Sequence, residues 1–281
     1  MTNSIGRRSL AAGAALLPAA LVSTAHAQGT GESTLARIQR TKVLRIAALT
    51  GELPYFSKDI TTGQWGGACI DMANSIAKVF DAKLEFVEAT YGTSVLDLQT
   101  NKVDLAFALN PTPERALSIG FTHPMLVHPF GCLAKPGLDP NTWDDLNKPS
   151  MRIAYDIGSL HETLAKRFAP QAQNMGFPNR DQAILALSTG RVDVVILAAM
   201  LGLAALGKNP TLGTYHLLHD PLIALPSCLG IQAQEQYAEF ATVLNAWLDF
   251  NRGIGQLREW LITGLAQMGV KREQIPASLT F

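Results

Sequence analysis

Leu98-Gln99-Thr100-Asn101-Lys102-Val103-Asp104-Leu105 and Leu187-Ser188-Thr189-Gly190-Arg191-Val192-Asp193-Val194 are two versions of one pattern. Each reads as a helix end, a tight turn and the start of a buried strand. Asn101 and Gly190 stand where a helix C-terminus wants a left-handed residue, which Gly and Asn adopt at least cost. Outward from these stretches, short apolar runs alternate with helical patterns. The first half predicts strands over 43–49, 83–88 and 103–109, with helices over 70–80 (Asp71 near its start) and 94–100. The second half repeats the plan, with strands over 151–155 and 192–197 and helices over 159–168 and 180–188. Strands alternating with helices predict an α/β fold with a mostly parallel sheet flanked by helices. The echo predicts two similarly built lobes; the alternative is a coincidence of two common helix–turn–strand units.

Two stretches read as crossings between the lobes, Phe130-Gly131-Cys132-Leu133-Ala134-Lys135-Pro136 and Ser227-Cys228-Leu229-Gly230-Ile231. They give a first lobe over 28–131, a second over 132–227, and a return to the first over 228–281. Within that return, 237–268 reads as two helices broken at Asn251-Arg252-Gly253-Ile254-Gly255.

The N-terminus reads as an export signal over residues 1–27. Arg7 and Arg8 make a basic start, 10–22 is apolar, and Ala25-His26-Ala27 before Gln28 suits a signal peptidase. Gly6-Arg7-Arg8-Ser9-Leu10 also fits a twin-arginine signal, so export by Sec or Tat to the periplasm is expected. A buried N-terminal helix is the alternative. The 23 basic and 23 acidic residues balance, which excludes the charge excess of a nucleic-acid or anionic-membrane binder. Cys69, Cys132 and Cys228 have no metal-ligand spacing. In an oxidising compartment one pair bridges, Cys132 with Cys228 if the crossings run side by side; otherwise all three are buried apolar side chains.

Asn110-Pro111-Thr112-Pro113-Glu114-Arg115 ends a strand and starts a helix. Thr112 suits the N-cap, Pro113 the first helical position, and Glu114 the positive end of the dipole. Arg115 opposes that dipole, so an anion is expected beside it, and its planar fork suits a carboxylate. A local Glu partner or simple solvation is the competing reading. In Gly158-Ser159-Leu160-His161-Glu162, Gly158 permits an unusual backbone angle, and Ser159 with Glu162 fits a capping box. The amides of that first turn suit the far end of a ligand, or the stretch is only a well-capped helix. Glu52-Leu53-Pro54-Tyr55-Phe56 is a turn whose aromatics wall a pocket or pack the lobe. His123, His128, His216 and His219 are weaker candidates. No metal, cofactor or nucleophile motif is present, so no catalytic residue, metal or cofactor is expected.

Taken in order, these pieces resemble the family 3 bacterial extracellular solute-binding proteins, the amino-acid-binding type that serves ABC importers. The resemblance runs through Leu44-Arg45-Ile46, Leu53-Pro54-Tyr55-Phe56, Val103-Asp104-Leu105, Thr112-Pro113-Glu114-Arg115, Phe121-Thr122-His123-Pro124, Gly158-Ser159 and Gly190-Arg191-Val192-Asp193. It implies a monomeric, two-lobed type II periplasmic binding protein that closes on a small solute and delivers it to an ABC permease. Arg115 would grip the ligand's α-carboxylate, helped by Asn110, Ser159 and the backbone after Ala108. Tyr55 would form a wall.

This sequence departs from the family in three places. The acid that takes the ligand's α-ammonium, five residues after the second Val-Asp, falls on Ala198. Cys69 replaces another acid, and Phe121-Thr122-His123-Pro124-Met125 stands for Phe-Ser-Asp-Pro-Tyr. An ammonium beside alanine would be left unpaired, a costly arrangement unless Glu52 supplies the charge. The expected ligand is a small carboxylate, amino-acid-like or an organic acid, with the departures favouring one without an α-amino group; the apolar stretch 194–206 fits a less polar ligand or a dense core. The alternatives are a dehydratase-type enzyme similar to cyclohexadienyl dehydratases, and a periplasmic accessory protein with a vestigial cleft.

Overall fold

The computed structural model describes residues 1–2, 32–275 and 279–280; all but the first two residues of the expected export signal lie outside the described residues. The first half runs α1 (Thr34–Thr41), β1 (Val43–Leu49), β2 (Ser57–Lys58), β3 (Trp65–Gly66), α2 (Ala68–Val79), β4 (Lys83–Ala89), α3 (Tyr91–Gln99), β5 (Leu105–Leu109), α4 (Pro113–Ala116) and β6 (Ile119–Ala134). The second runs α5 (Trp143–Leu146), β7 (Arg152–Asp156), α6 (Leu160–Phe168), β8 (Gln173–Phe177), α7 (Arg180–Ser188), β9 (Val194–Ala198), α8 (Ala199–Lys208) and β10 (Thr214–Leu217). The chain then returns through β11 (Ala224–Gln232), α9 (Glu239–Gly253) and α10 (Gln256–Gln267).

β5 and β9 are apolar at every position and buried at every position, as strands covered on both faces must be. The helices start where short polar side chains cap them: Thr90 before α3, Ser159 before α6 and Asn179 before α7 each accept from a first-turn amide. The strand order is β4-β1-β5-β11-β6-β9-β7-β8, with β10 added on β6. β1 lies parallel between β4 and β5, and β7 lies parallel between β8 and β9. Both halves thus follow the same path, from a central strand to the edge and back to the inner side. The antiparallel pairs of this sheet all involve β6 or β11. This is the α/β class expected from the alternation.

The repeated motif is real in three dimensions. Asn101 and Gly190 take left-handed angles, φ 57° and 69°. Asp104 binds the Arg45 amide at 2.8 Å and its guanidinium at 2.6 Å. Asp193 does the same to Arg152, at 3.0 Å and 2.8 Å. Each acid ties the loop before an inner strand to the start of the central one.

β6 carries the chain from one half to the other. Through Pro129 it pairs with β11, and from Phe130 it pairs with β9. The return differs from expectation. Ser227–Ile231, read as the second crossing, lies inside β11, where Cys228 faces Leu109 and Pro124. The chain comes back earlier, between Leu217 of β10 and Ala224 of β11. That shift undoes the expected Cys132–Cys228 disulfide. Cys132 pairs with Ile196 while Cys228 faces Pro124, eight residues further up β6, so the two stand roughly 26 Å apart at ~3.3 Å per residue. A disulfide needs Cα atoms within ~7 Å. All three cysteines are free and buried.

The sequence reading also missed β2, β3, β8, β10 and α8. Gln173-Asn174-Met175-Gly176-Phe177 lacks β-branched residues and is a strand only because β7 pairs with it. The apolar stretch after β9 proves to be helix and dense core: a Cβ on Gly202 would meet the Tyr215 ring at 2.1 Å.

Candidate functional site

Open α/β sheets bind ligands at the carboxyl ends of their strands, where connections diverge. Here those ends from both halves meet. β1 delivers Glu52 and Tyr55, β4 delivers Tyr91, and β5 delivers Asn110 and Arg115. Against them β7 delivers Asp156, Ser159 and His161, β8 delivers Arg180, and β9 ends on Ala198.

On the first side, β5 bulges against β11: two residues separate Ala106 from Leu109, whereas one separates their partners Gly230 and Cys228. Ala108 takes the strained φ of 59° within that bulge and turns the strand end toward Asn110. Thr112 then caps α4 by accepting from the Arg115 amide at 3.3 Å. The Arg115 guanidinium donates to the Asn110 carbonyl at 3.0 Å and, across the cleft, to the Gly158 carbonyl at 2.9 Å. It has no carboxylate partner among the described residues, and Glu114 is exposed. Burial pulls its pKa down, opposed by nearby Tyr91 and Asp156. The other expected donor on this side is spent: the Asn110 amide donates to the Pro226 carbonyl at 2.8 Å.

On the facing side, Gly158 holds φ 77°, and an added Cβ there would sit 3.0 Å from the Gly92 Cα of the first half. The expected capping box is half formed. The Glu162 amide donates to the Ser159 hydroxyl at 3.4 Å, but the Glu162 carboxylate accepts from Gly158 at 2.8 Å instead of from Ser159. The Ser159 hydroxyl is also spent, donating to the Asp156 carbonyl at 2.7 Å. Leu160 and His161 are buried in that first turn.

The centre of the interface is a buried polar cluster. His161 Nε2 accepts from the Ala198 amide at 3.1 Å, so the proton is on Nδ1, 3.2 Å from Asp156 Oδ1. Burial pulls the His161 pKa down, and Arg180 adds to it. Arg180 is 2% exposed and places Nη2 2.8 Å from Asp156 Oδ1 and 3.5 Å from Glu52 Oε1. Burial opposes the Arg180 charge, yet Asp156 and Glu52 hold its pKa above the ordinary value. Glu52, 3% exposed, has its pKa pushed up to about 8 by burial, against the pull of Arg180. Asp156 is also buried, but Arg180 and His161 hold its carboxyl well below the usual range. Tyr55 is buried with its hydroxyl unpartnered among the described residues.

Of the weaker candidates, His128 joins this region. Its ring lies 5.1 Å from Phe130, which lies 5.6 Å from His161, and its Nε2 is 3.1 Å from the Ser227 hydroxyl. His123 pairs with Asp249 and His216 with Asp139, both away from the cluster. No group of side chains suited to a metal occurs among the described residues. Cavities flank the cluster on two sides. One of about 300 Å³ is lined by Arg115, Gly158, Ser159 and Glu162. Another of about 450 Å³ is lined by Gly51, Leu53, Arg180 and Leu201.

Sequence reasoning missed Arg180, Asp156 and Tyr91. A signal for Arg180 was present, since it is the first residue of α7 and opposes the dipole as Arg115 does.

The model of the bacterial extracellular solute-binding proteins, family 3, matches residues 44–273. Virulence sensor protein BvgS of Bordetella pertussis is 29% identical over 168 residues, 57% of this chain and 13% of that protein. ABC transporter arginine-binding protein 1 of Escherichia coli is 26% identical over 148 residues, 52% of this chain and 60% of that protein. The match therefore spans less than two thirds of either relative. Cyclohexadienyl dehydratase of Pseudomonas aeruginosa is 24% identical over 256 residues, 87% of this chain and 90% of that protein. Among solved structures, an ancestral amino acid-binding protein, a precursor of cyclohexadienyl dehydratase, has a TM-score of 0.74 at 27% identity, covering 85% of this chain and 100% of that one. An amino acid ABC transporter substrate-binding protein from Streptococcus pneumoniae, bound to L-arginine, has a TM-score of 0.74 at 22% identity over 84% of this chain and 98% of that one. That second likeness shows the shared fold.

Proposed function

This chain belongs to the bacterial extracellular solute-binding proteins of family 3, and we propose that it captures a small carboxylate-bearing solute between two lobes for ABC-type import. The lobes meet where the sheet changes partners, near Pro129 and between Leu217 and Ala224. The protein works as a monomer in the periplasm after removal of its export signal. Arg115 carries this reading. Its half-buried guanidinium holds two backbone carbonyls, one from each half, and no acid among the described residues. A carboxylate entering the open cleft answers both the guanidinium and the first-turn amides of Leu160 and His161. Asn110, Ala108, Gly158 and Ser159 act as positioning groups, while Tyr55 and Glu52 close the far wall. No helix among the described residues is long and apolar enough to cross a membrane.

The test is a thermal-shift screen of the purified protein against amino acids, oxo acids and aromatic acids, since a ligand of the folded state raises its midpoint by mass action. Arg115→Ala is expected to weaken any carboxylate hit by about 2 kcal/mol or more, roughly 30-fold. Absence of any carboxylate hit contradicts the proposal.

A dehydratase-type enzyme on the same scaffold is the second reading. It is favoured by Glu52, a buried acid that titrates near neutrality beside His161 and Asp156, and by the dehydratase relative. Release of an aromatic product from a cyclohexadienyl acid, followed by ultraviolet absorbance, would establish it.

A further inference from the structure

We propose that Arg180 is the cleft's second ligand anchor and selects an organic acid with a second oxygen function, such as an oxo, hydroxy or dicarboxylic acid, over an α-amino acid. This rests on the carboxylate reading of Arg115 and names the class of solute.

Arg180 is buried, yet its contacts to acids all run through Nη2; Nε and Nη1 have no hydrogen-bond partner among the described residues. A guanidinium offers five N–H donors in a rigid fork and accepts nothing. Two nitrogens of that fork are thus unspent in a site that water does not reach, and oxygen acceptors are what they require.

The partners come from opposite sides. Asp156 and Arg180 follow β7 and β8 of the second half, whereas Glu52 follows β1 of the first. When the lobes part, Asp156 stays with Arg180 and Glu52 leaves. The Glu52 carboxyl at 3.5 Å therefore marks a place that an oxygen of the solute can take. Glu52 yields that place readily, because burial keeps it protonated at neutral pH.

The same inventory offers an ammonium less: the one Glu52 oxygen left without a partner among the described residues, Oε2, belongs to a carboxyl that burial pushes toward its neutral form. The position that would carry an acid is Ala198, whose amide is spent on His161. Asp156, the acid of the second side, already turns Oδ1 to both Arg180 and His161. Arg180 lines the cavity of about 450 Å³ and Arg115 the one of about 300 Å³, both at the carboxyl ends of the strands. The cavity of about 450 Å³ beside Arg180, Gly51 and Leu53 leaves room for the solute's second end.

The test is calorimetric titration of the purified protein with matched acids of three to five carbons: unsubstituted, 2-oxo, 2-hydroxy, 2-amino and dicarboxylic. At least one oxygen-bearing acid is expected to bind tenfold or more tightly than its unsubstituted parent, and no 2-amino acid to gain tenfold. Arg180→Gln brings the ratio to about one. Arg180→Lys, which keeps a cation beside Asp156 and so protects the fold, lowers it at least threefold; thermal melts confirm that each variant is folded. Amino acids binding tighter than oxygen-bearing acids overturns the proposal, as does a ratio that Arg180→Gln leaves unchanged. Either result leaves the carboxylate reading standing. No binding of any acid overturns both.

Discussion

Arg115 and Arg180 show how one residue in the wrong electrostatic place points to function. Arg180 opens the nine-residue α7, where the dipole favours anions, while Arg115 lies in the single turn of the four-residue α4. Arg180 is compensated by the Asp156 carboxylate, Arg115 by no acid among the described residues. Glu52 makes the cluster sensitive to pH. Burial pushes its carboxyl up to about 8 in the folded protein, above the ordinary value of 4.5 that serves for the unfolded chain. Its contribution to stability is therefore complete below that lower value and is lost as pH rises through the upper one. His161, with its pKa lowered, does the opposite and loses stability on acidification. The two are separated by difference: in thermal melts between pH 5 and pH 8, Glu52→Gln should gain stability relative to the unsubstituted protein as pH rises. A difference that stays flat across that range contradicts the assignment. His161→Ala leaves the Ala198 amide without its acceptor and should cost about 1–3 kcal/mol in urea denaturation.

At the scale of elements, the two turns after α3 and α7 do the same structural work. Asp104 anchors Arg45 and Arg37, with its side chain wholly buried, and Asp193 anchors Arg152 and Lys135 nearer the surface. Removing either acid strands a strand-end amide and two cations. Asp104→Ala is expected to cost about 3 kcal/mol and Asp193→Ala less, because solvent screens the more exposed cluster. Urea titrations that rank them in the other order would refute this. Arg152 and Lys135 hold the Asp193 carboxyl well below its usual range, so its share of stability is present at neutral pH and fades as acid protonates it. These elements were largely legible beforehand. Helix α7 was expected over its observed span, and β1, β4 and β5 were expected within two residues of theirs. What was missed, β8 and β10, lacks a pattern of its own and exists through pairing.

Over the whole molecule, the site exists only because the carboxyl ends of strands from both halves are brought together. Gly92 and Gly158 meet backbone to backbone there, and Arg115 and Arg180 each reach a group on the other side. Gly158→Val puts a side chain into that approach and into a left-handed angle that β-branched residues avoid. It is expected to weaken carboxylate binding tenfold or more, while leaving each half folded by circular dichroism. Unchanged affinity would show that the approach of Gly92 to Gly158 has no part in binding.

By itself the sequence determined the α/β class, the doubled plan and the candidate Arg115. Alternation of period, helix caps and turn residues are local properties that neighbouring residues settle among themselves. Only the tertiary structure decided that Arg180 stands between Asp156 and Glu52, that Asn110 and Ser159 are spent on backbone carbonyls, and that Cys132 and Cys228 lie far apart. Those facts follow from strand order and from where β6 and β11 change partners. They join residues up to 128 positions apart, a separation across which no local pattern carries information.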